Sequence, residues 1–290
     1  MSSIFVQIAS YDDEELIKTI NDCLNKSSKN HEIFFGVHEC YINNKTNIDL
    51  KNVKIKYSKA PENIGVGMGR YLANQFYNNE DYYLQIDSHT RFIENWDEKS
   101  IFALNEFLNL GNKCILTSYP PGYKYVDEKE VLDDKSQPTL IKVRKDEKEY
   151  FYETRIIAQE GKYCDMPDCS DSVSAAFIFG KGDIHNVVQN PAIFYYGEEI
   201  LRAASFYTNG YNLMSIDQPI VFHLYGVNSK RVPVWQIYKE ESDKLEDFSK
   251  TAIKLILSEN RVGPRELGSE RSLKEFGRFI GVDFEKGCYL

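Results

Sequence analysis

Tyr82-Tyr83-Leu84-Gln85-Ile86-Asp87-Ser88-His89-Thr90-Arg91-Phe92 is a short apolar, aromatic-rich run that stops at a carboxylate and an imidazole. Such a run suits a buried strand of a parallel sheet. Ligands of open α/β sheets lie beyond the carboxyl ends of the strands, so Asp87 and His89 are placed to face one cation. A carboxylate oxygen with an imidazole nitrogen suits Mn²⁺ or Zn²⁺ better than Ca²⁺. Alone, an Asp-x-His more often marks a turn that contains an ordinary histidine. The rest of the chain decides between the two.

Working back to the N-terminus, residues 4–9 read as a first strand, with Asp12 as the N-cap of a helix and Glu15 as its capping-box partner. Leu16, Ile17, Ile20, Cys23 and Leu24 recur at helical spacing and form one apolar face. Strands are expected over 33–37 and 53–57, the second alternating as an edge strand does. This succession predicts an α/β fold built on a doubly wound, Rossmann-like open sheet, mostly parallel, with helices on both faces.

Residues 65–70, Gly-Val-Gly-Met-Gly-Arg, open a further helix. Glycines such as Gly65 let backbone approach a ligand, free N–H groups at a helix start favour phosphate, and Arg70 is suited to clamp a diphosphate. The spacing is not that of a dinucleotide fingerprint, and a glycine-rich turn with a surface arginine is the competing reading. Beyond the central strand, Ile101, Leu104, Phe107 and Leu108 mark another helix, and residues 114–118 another buried strand stopped by Pro120-Pro121-Gly122.

The chain is 290 residues long, 42% hydrophobic and 13% aromatic, which indicates a packed globule. Its net charge of −9 argues against a nucleic-acid partner, since phosphate backbones need clustered Lys and Arg. An anionic ligand would then need a local device such as a metal ion. No run approaches the roughly 20 apolar residues of a membrane span, and the N-terminal residues lack signal-peptide character. Six scattered cysteines without a Cys-x-x-Cys pair point to reduced thiols and a cytoplasmic setting; Cys164 with Cys169 is a weak candidate redox or zinc pair.

Composition shifts at 124–148, a mixed-charge stretch read as a solvent-facing excursion that could rim an acceptor groove. The chain accordingly divides into a first half of mononucleotide-binding type (1–120), the charged excursion (121–150) and a second half (151–290) of one continuous domain. Strands are expected at 151–158 and 173–179, where Ser174 and Ala175 are small enough for a ligand to lie against backbone. Glu198 and Glu199 follow an aromatic-glycine lead-in at a helix start. They complement the helix dipole and are also candidate catalytic carboxylates, with Glu198 at a pocket wall. A late strand ends at His223. Of five histidines, His31, His38 and His185 look incidental, whereas His89 and His223 sit at apolar strand ends. Asp87, His89 and His223 make a three-ligand metal set with open positions. Residues 231–235 read as a flap in which Trp235 is a stacking aromatic.

In this order, Asp87-Ser88-His89, Tyr196-Gly197-Glu198-Glu199-Ile200 with Thr208-Asn209-Gly210-Tyr211, and Phe222-His223-Leu224-Tyr225 followed by Pro233-Val234-Trp235 form a recognisable pattern. The chain resembles glycosyltransferase family 60, the cytosolic polypeptide α-N-acetylglucosaminyltransferases that modify hydroxyproline, and more distantly the mucin-type polypeptide N-acetylgalactosaminyltransferases. The resemblance implies a GT-A fold, a UDP-sugar donor (UDP-N-acetylglucosamine foremost) and Mn²⁺ or Mg²⁺ held by Asp87, His89 and His223. It also implies an acceptor hydroxyl, on a protein by family expectation, and retention of anomeric configuration. By position, Ala9, Ser10, Tyr11 and Asp12 would line the uridine pocket, and Arg70 would touch the donor. Glu198 would bind the transferred sugar, and Ser88 counts among the donor-binding residues. The mucin-type enzymes carry Trp-Gly-Gly-Glu where this chain has Tyr195-Tyr196-Gly197-Glu198, so sugar preference does not carry over from them.

Two other classes use similar residues. Two histidines and a carboxylate also form the facial triad of non-haem Fe(II) oxygenases, but there the usual order is His-x-Asp then His, on a jelly-roll sheet. A nucleotide-sugar-binding protein without transferase activity is the remaining alternative. Oligomeric state is not legible.

Overall fold

The computed structural model describes residues 1–133, 138–143, 169–187, 189–226 and 231–290. A seven-stranded sheet runs, edge to edge, through residues 212–214, 114–117, 177–181, 82–87, 3–11, 32–41 and 53–59. Its strands are β1 (Ser3–Tyr11), β2 (Glu32–Tyr41), β3 (Val53–Lys59), β4 (Tyr82–Asp87), β6 (Cys114–Thr117), β9 (Phe177–Lys181) and β10 (Asn212–Met214). All neighbours pair in parallel except β9, which runs antiparallel to both β4 and β6. The sheet is thus mostly parallel, and β4 lies inside it.

The period-2 alternation of the strands sorts their side chains onto two faces. Ile4, Val6, Ile8, Leu84, Ile86, Leu116, Phe177 and Phe179 share one core with Leu16, Ile20 and Cys23 of α1 (Leu16–Asn25) and with Trp96 and Leu104 of α3 (Trp96–Asn109). Phe5, Tyr83, Ile115 and Ile178 point the other way, onto α4 (Glu198–Thr208), α6 (Lys239–Ser258) and α7 (Leu273–Ile280). Helices therefore cover both faces. The edge strand β3 alternates between partly buried and exposed positions, as its sequence predicts. Among the described residues no helix is long and apolar enough to cross a membrane.

Several local expectations are corrected. Asp12 is not an N-cap: it adopts a left-handed conformation (φ 41°), and its Oδ1 accepts from Ile42 N at 2.9 Å. Asp13 takes over the start of α1, accepting from Glu15 N at 3.1 Å, and Glu15 turns to Arg91 instead of forming a capping box. The real capping box lies at α7, between Ser272 and Glu275.

The glycine run sits inside α2 (Val66–Asn74) and serves packing. Val66 N and Gly67 N donate to the carbonyls of Phe194 and Ile193 at 2.8 and 3.0 Å. A Cβ at Gly67 would overlap the carbonyl oxygens of Asn190 and Ile193. The phosphate cradle expected around Gly65 is thus closed by backbone.

The strand expected from residue 173 begins only at Phe177, because residues 174–177 make a turn. The strand expected at 151–158 lies outside the described residues, as does Cys164.

Part of the charged stretch is folded. Strands β7 (Tyr123–Val126) and β8 (Lys129–Leu132) form a hairpin. Arg91, just past the central strand, holds it by donating to Glu15 and, at 2.6 Å, to Glu130, with its guanidinium 4.8 Å from the centroid of the buried Tyr123 ring. Tyr123 and Tyr125 also donate to Glu15, at 3.1 and 2.9 Å. A charge run normally means solvent; here Glu130 is the counter-ion of a buried arginine.

Candidate metal centre and donor site

Asp87 closes β4, and the chain turns straight into β5 (Thr90–Phe92). Thr90 Oγ1 donates to the Asp87 carbonyl at 2.9 Å. Thr19 of α1 pins the turn from below, bonding the carbonyl of Ser88 at 2.8 Å and receiving Thr90 N at 2.9 Å. β5 pairs antiparallel with β11 (Val221–His223), which sets His223 opposite Thr90. Leu224 N donates to His89 O at 3.1 Å, and His223 N to Pro121 O at 3.0 Å. This short pairing brings together side chains far apart in sequence. Ligand atoms of Asp87, His89 and His223 all lie within 4.8 Å of one another.

The donor chemistry fits a divalent cation: one carboxylate and two imidazoles, each half-buried at the sheet edge. His223 Nε2 lies 3.1 Å from Asp87 Oδ2, the two imidazole centroids are 4.7 Å apart, and His223 Nδ1 is buried without a protein hydrogen-bond partner. Burial lowers the His223 pKa despite the carboxylate beside it, which favours the neutral, metal-binding form. Burial pushes the Asp87 carboxyl up, but the hydrogen bond from His223 and the charge of Arg70 outweigh it, and the group stays ionised far below the usual carboxylate range.

Arg70 is not a surface clamp. It is 1% exposed, and its guanidinium is used within the protein. Nη2 donates to Asp87 Oδ1 at 2.7 Å and to Ala175 O at 3.0 Å, Nε to Glu198 Oε1 at 2.7 Å, and Nη1 to Ile86 O at 3.3 Å. The arginine therefore neutralises two carboxylates from opposite halves of the chain and does not reach out to a diphosphate.

The other expected residues divide. Ala9 pairs with Asp87 across β1 and β4, so the end of β1 adjoins the metal set. Buried there without protein partners are Ser10 Oγ and the Tyr11 hydroxyl. Glu198 is 6% exposed and bound to Arg70, whereas the half-buried Glu199 accepts from Tyr119 OH at 2.7 Å and Ala175 N at 3.0 Å. Burial raises the Glu199 carboxyl to about 7 against those two donors, and burial also raises Glu198.

Ser88 is buried and donates to Asp13 Oδ2 at 2.7 Å, so its hydroxyl is committed away from the donor side. Ser174 is likewise buried, its N bonded to Thr117 Oγ1 at 2.9 Å. Only Ala175 of that pair adjoins the site, through its backbone. Trp235, on α5 (Val234–Ile237), lies against Tyr195, the residue three before Glu198, with ring centroids 4.8 Å apart and the rings tilted by 47°. The three incidental histidines all have local partners: His31 with Ser2, His38 with Ser58 and His185 with the Gly182 carbonyl.

Three participants escape a reading of the sequence. Asp13 accepts from both Ser88 and His89. Tyr119 donates to Glu199. Tyr225 braces the His223 segment by donating to Pro120 O at 2.6 Å. Asp13 lies in an acidic run, Tyr119 precedes the Pro120-Pro121-Gly122 stop and Tyr225 ends a quoted motif, but nothing in their spacing marks their partners.

An open, mostly parallel sheet with helices on both faces is the architecture of a GT-A fold, and the solved structures that resemble it agree. GalNAc-T7, crystallised with UDP, GalNAc and Mn²⁺, superposes with a TM-score of 0.55 at 13% identity, covering 99% of this chain and 56% of that one. TarS of S. aureus superposes with a TM-score of 0.50 at 13% identity, covering 96% of this chain and 42% of that one. The chain thus spans about half the length of these proteins. No curated protein matches it in sequence. A family model does: over residues 3–50 and 42–286 the chain matches Glycosyltransferase (GlcNAc), and it belongs to that family. The jelly-roll sheet of an Fe(II) oxygenase is absent from the described residues.

Proposed function

We propose that the protein is a metal-dependent, retaining glycosyltransferase that moves a sugar, N-acetylglucosamine foremost, from a UDP-sugar to an acceptor hydroxyl on a protein, in the manner of glycosyltransferase family 60. The observation that carries the reading is the convergence of Asp87, His89 and His223 at the end of β4, in a chain that belongs to the Glycosyltransferase (GlcNAc) family. GalNAc-T7, of similar fold, was crystallised with UDP and Mn²⁺. Residues 1–120 then form the nucleotide half and 151–290 the sugar and acceptor half. Cys23, Cys40 and Cys114 are buried thiols, in keeping with a cytoplasmic setting.

Asp87, His89 and His223 would hold the ion, Mn²⁺ or Mg²⁺. When bound, such an ion offsets the negative charge that develops on the leaving diphosphate. The protein's own groups prepare the rest. Arg70 keeps Asp87 ionised and fixes the Glu198 side chain at the start of α4. Ser10 Oγ and Tyr11 OH, buried and unpartnered, offer hydrogen bonds to a uracil or ribose at the end of β1. Glu199, oriented by Tyr119 and Ala175, would face the sugar, and the tilted Tyr195–Trp235 ring pair would wall that side. Transfer proceeds on the front face: the anomeric C–O bond to UDP breaks, the acceptor oxygen bonds the anomeric carbon on the same side, and the acceptor proton passes to the leaving phosphate.

The test is release of UDP or GDP from a panel of nucleotide sugars, with Mn²⁺ and again with EDTA. Selective, EDTA-sensitive release of UDP from UDP-N-acetylglucosamine is expected. Absence of release from every donor, with no metal-dependent nucleotide binding, would refute the reading.

A further inference from the structure

Asp13 is 5% exposed, lies just past β1 and touches the metal set through His89. Its two oxygens have separate duties. Oδ1 accepts from Glu15 N at 3.1 Å and so starts α1. Oδ2 accepts from His89 Nδ1 and from Ser88 Oγ, each at 2.7 Å, and lies 3.6 Å from the Arg231 guanidinium of the flap. An ionised carboxylate can only accept, so a hydrogen bond between it and an imidazole nitrogen requires the proton to sit on that nitrogen. The other ring nitrogen of a neutral imidazole then carries the lone pair.

We infer that Asp13 is the positioning residue of the metal centre: it holds His89 as the Nδ1–H tautomer, so that Nε2 is the nitrogen offered to a divalent cation. The inference rests on the reading of Asp87, His89 and His223 as ligands, and it assigns their outer support. Carboxylate–histidine pairs of this kind orient ligands and raise their basicity. A purely structural role would need only the bond from Glu15 N, which Oδ1 already makes. The short contacts of Oδ2 to Ser88 and His89 are what tie this carboxylate to the Asp-x-His turn.

Asp13→Asn separates the two duties. An asparagine oxygen can still accept from Glu15 N, but the amide nitrogen then faces His89 Nδ1 as a donor. That arrangement demands a lone pair on Nδ1 and moves the proton to Nε2. Two measurements test this on the full chain. Long-range ¹H–¹⁵N spectra of the metal-free wild type, with His89 assigned by the loss of its signals in His89→Gln, should show the Nδ1–H form. Mn²⁺ titration followed by electron paramagnetic resonance should show affinity about 10–100-fold weaker in Asp13→Asn, with the His89 tautomer inverted and an unchanged far-ultraviolet circular dichroism spectrum. A wild type that binds Mn²⁺ with His89 as the Nε2–H form, or an Asp13→Asn variant that binds Mn²⁺ like wild type, overturns the role of Asp13 alone. A wild type that binds no Mn²⁺ removes the ligand reading and the inference with it.

Discussion

Arg70 donates to Asp87 through Nη2 at 2.7 Å from a position 1% exposed to solvent, and no ligand is needed to explain why the arginine is there. The pair joins α2 to the end of β4, and Glu198 extends it to α4. Because the arginine is shared, losing it costs more than losing one ion pair.

Removing the arginine leaves two carboxylates in each other's field without the guanidinium they share. Arg70→Met is expected to destabilise the fold by about 3–5 kcal/mol, the range for breaking a buried pair from one side. Urea unfolding checks it. A loss under about 1 kcal/mol, the scale of an exposed pair, would mean that the ion triad does not hold the sheet edge together.

Loss of a metal ligand should act differently. In Asp87→Asn and His223→Gln, Mn²⁺ affinity is expected to fall by more than about 100-fold, beyond the range for outer-support substitutions. Calorimetric titration of Mn²⁺ into the protein with UDP present reads this directly. Wild-type affinity in both variants would show that the ion, if bound, sits elsewhere.

Glu199 makes stability depend on pH. Burial raises its pKa in the folded chain to about 7, from the ordinary value of 4.5 that holds in the unfolded state. Between those values the folded state binds the extra proton, so stability falls as pH rises from 4.5 toward 7 and is flat beyond. Glu199→Gln removes that slope, so relative to wild type it should gain up to about 3 kcal/mol on going from pH 4.5 to pH 8. Parallel unfolding curves at the two pH values measure the gap. A gap that does not change with pH would place the raised carboxyl elsewhere.

The hairpin of β7 and β8 hangs on Arg91, whose guanidinium is shared by Glu15 and Glu130. Arg91→Leu should release it. Amide exchange over residues 123–132 is expected to quicken at least about tenfold, a loss of roughly 1.4 kcal/mol in local opening, while β1 and β4 keep their protection. Unchanged exchange in the hairpin would show that its own cross-strand bonds suffice.

Much of this molecule is local and therefore legible in the chain. Apolar runs mark β1, β2 and β4, alternation marks β3, helical spacing marks α1 and α3, and the abrupt stop of an apolar run at Asp87 marks a sheet edge, because each signal is carried by residues within one element. Other facts are not local. Strand β9 enters the sheet antiparallel between β4 and β6, so the second half of the chain completes the first, and no run of residues 177–181 states its neighbours. Gly67 has the sequence setting of a ligand contact and is a packing contact, because the segment that fills its missing Cβ lies more than a hundred residues away.

Arg70, Ser88 and Ser174 read as donor-facing because polar residues near a motif usually are. The fold turns all three inward, where each finds its hydrogen bonds among protein atoms. The α/β class, the edge at which chemistry belongs and the residue types collected there are all written in the order of residues. It takes the folded chain to show that a three-residue pairing of β5 with β11 carries His223 to Asp87, and which carboxylate each cation in the site answers to. The division has one physical reason. Hydrophobic period runs along the chain, whereas the partner of a buried charge is chosen by whatever the packed core brings within hydrogen-bonding distance.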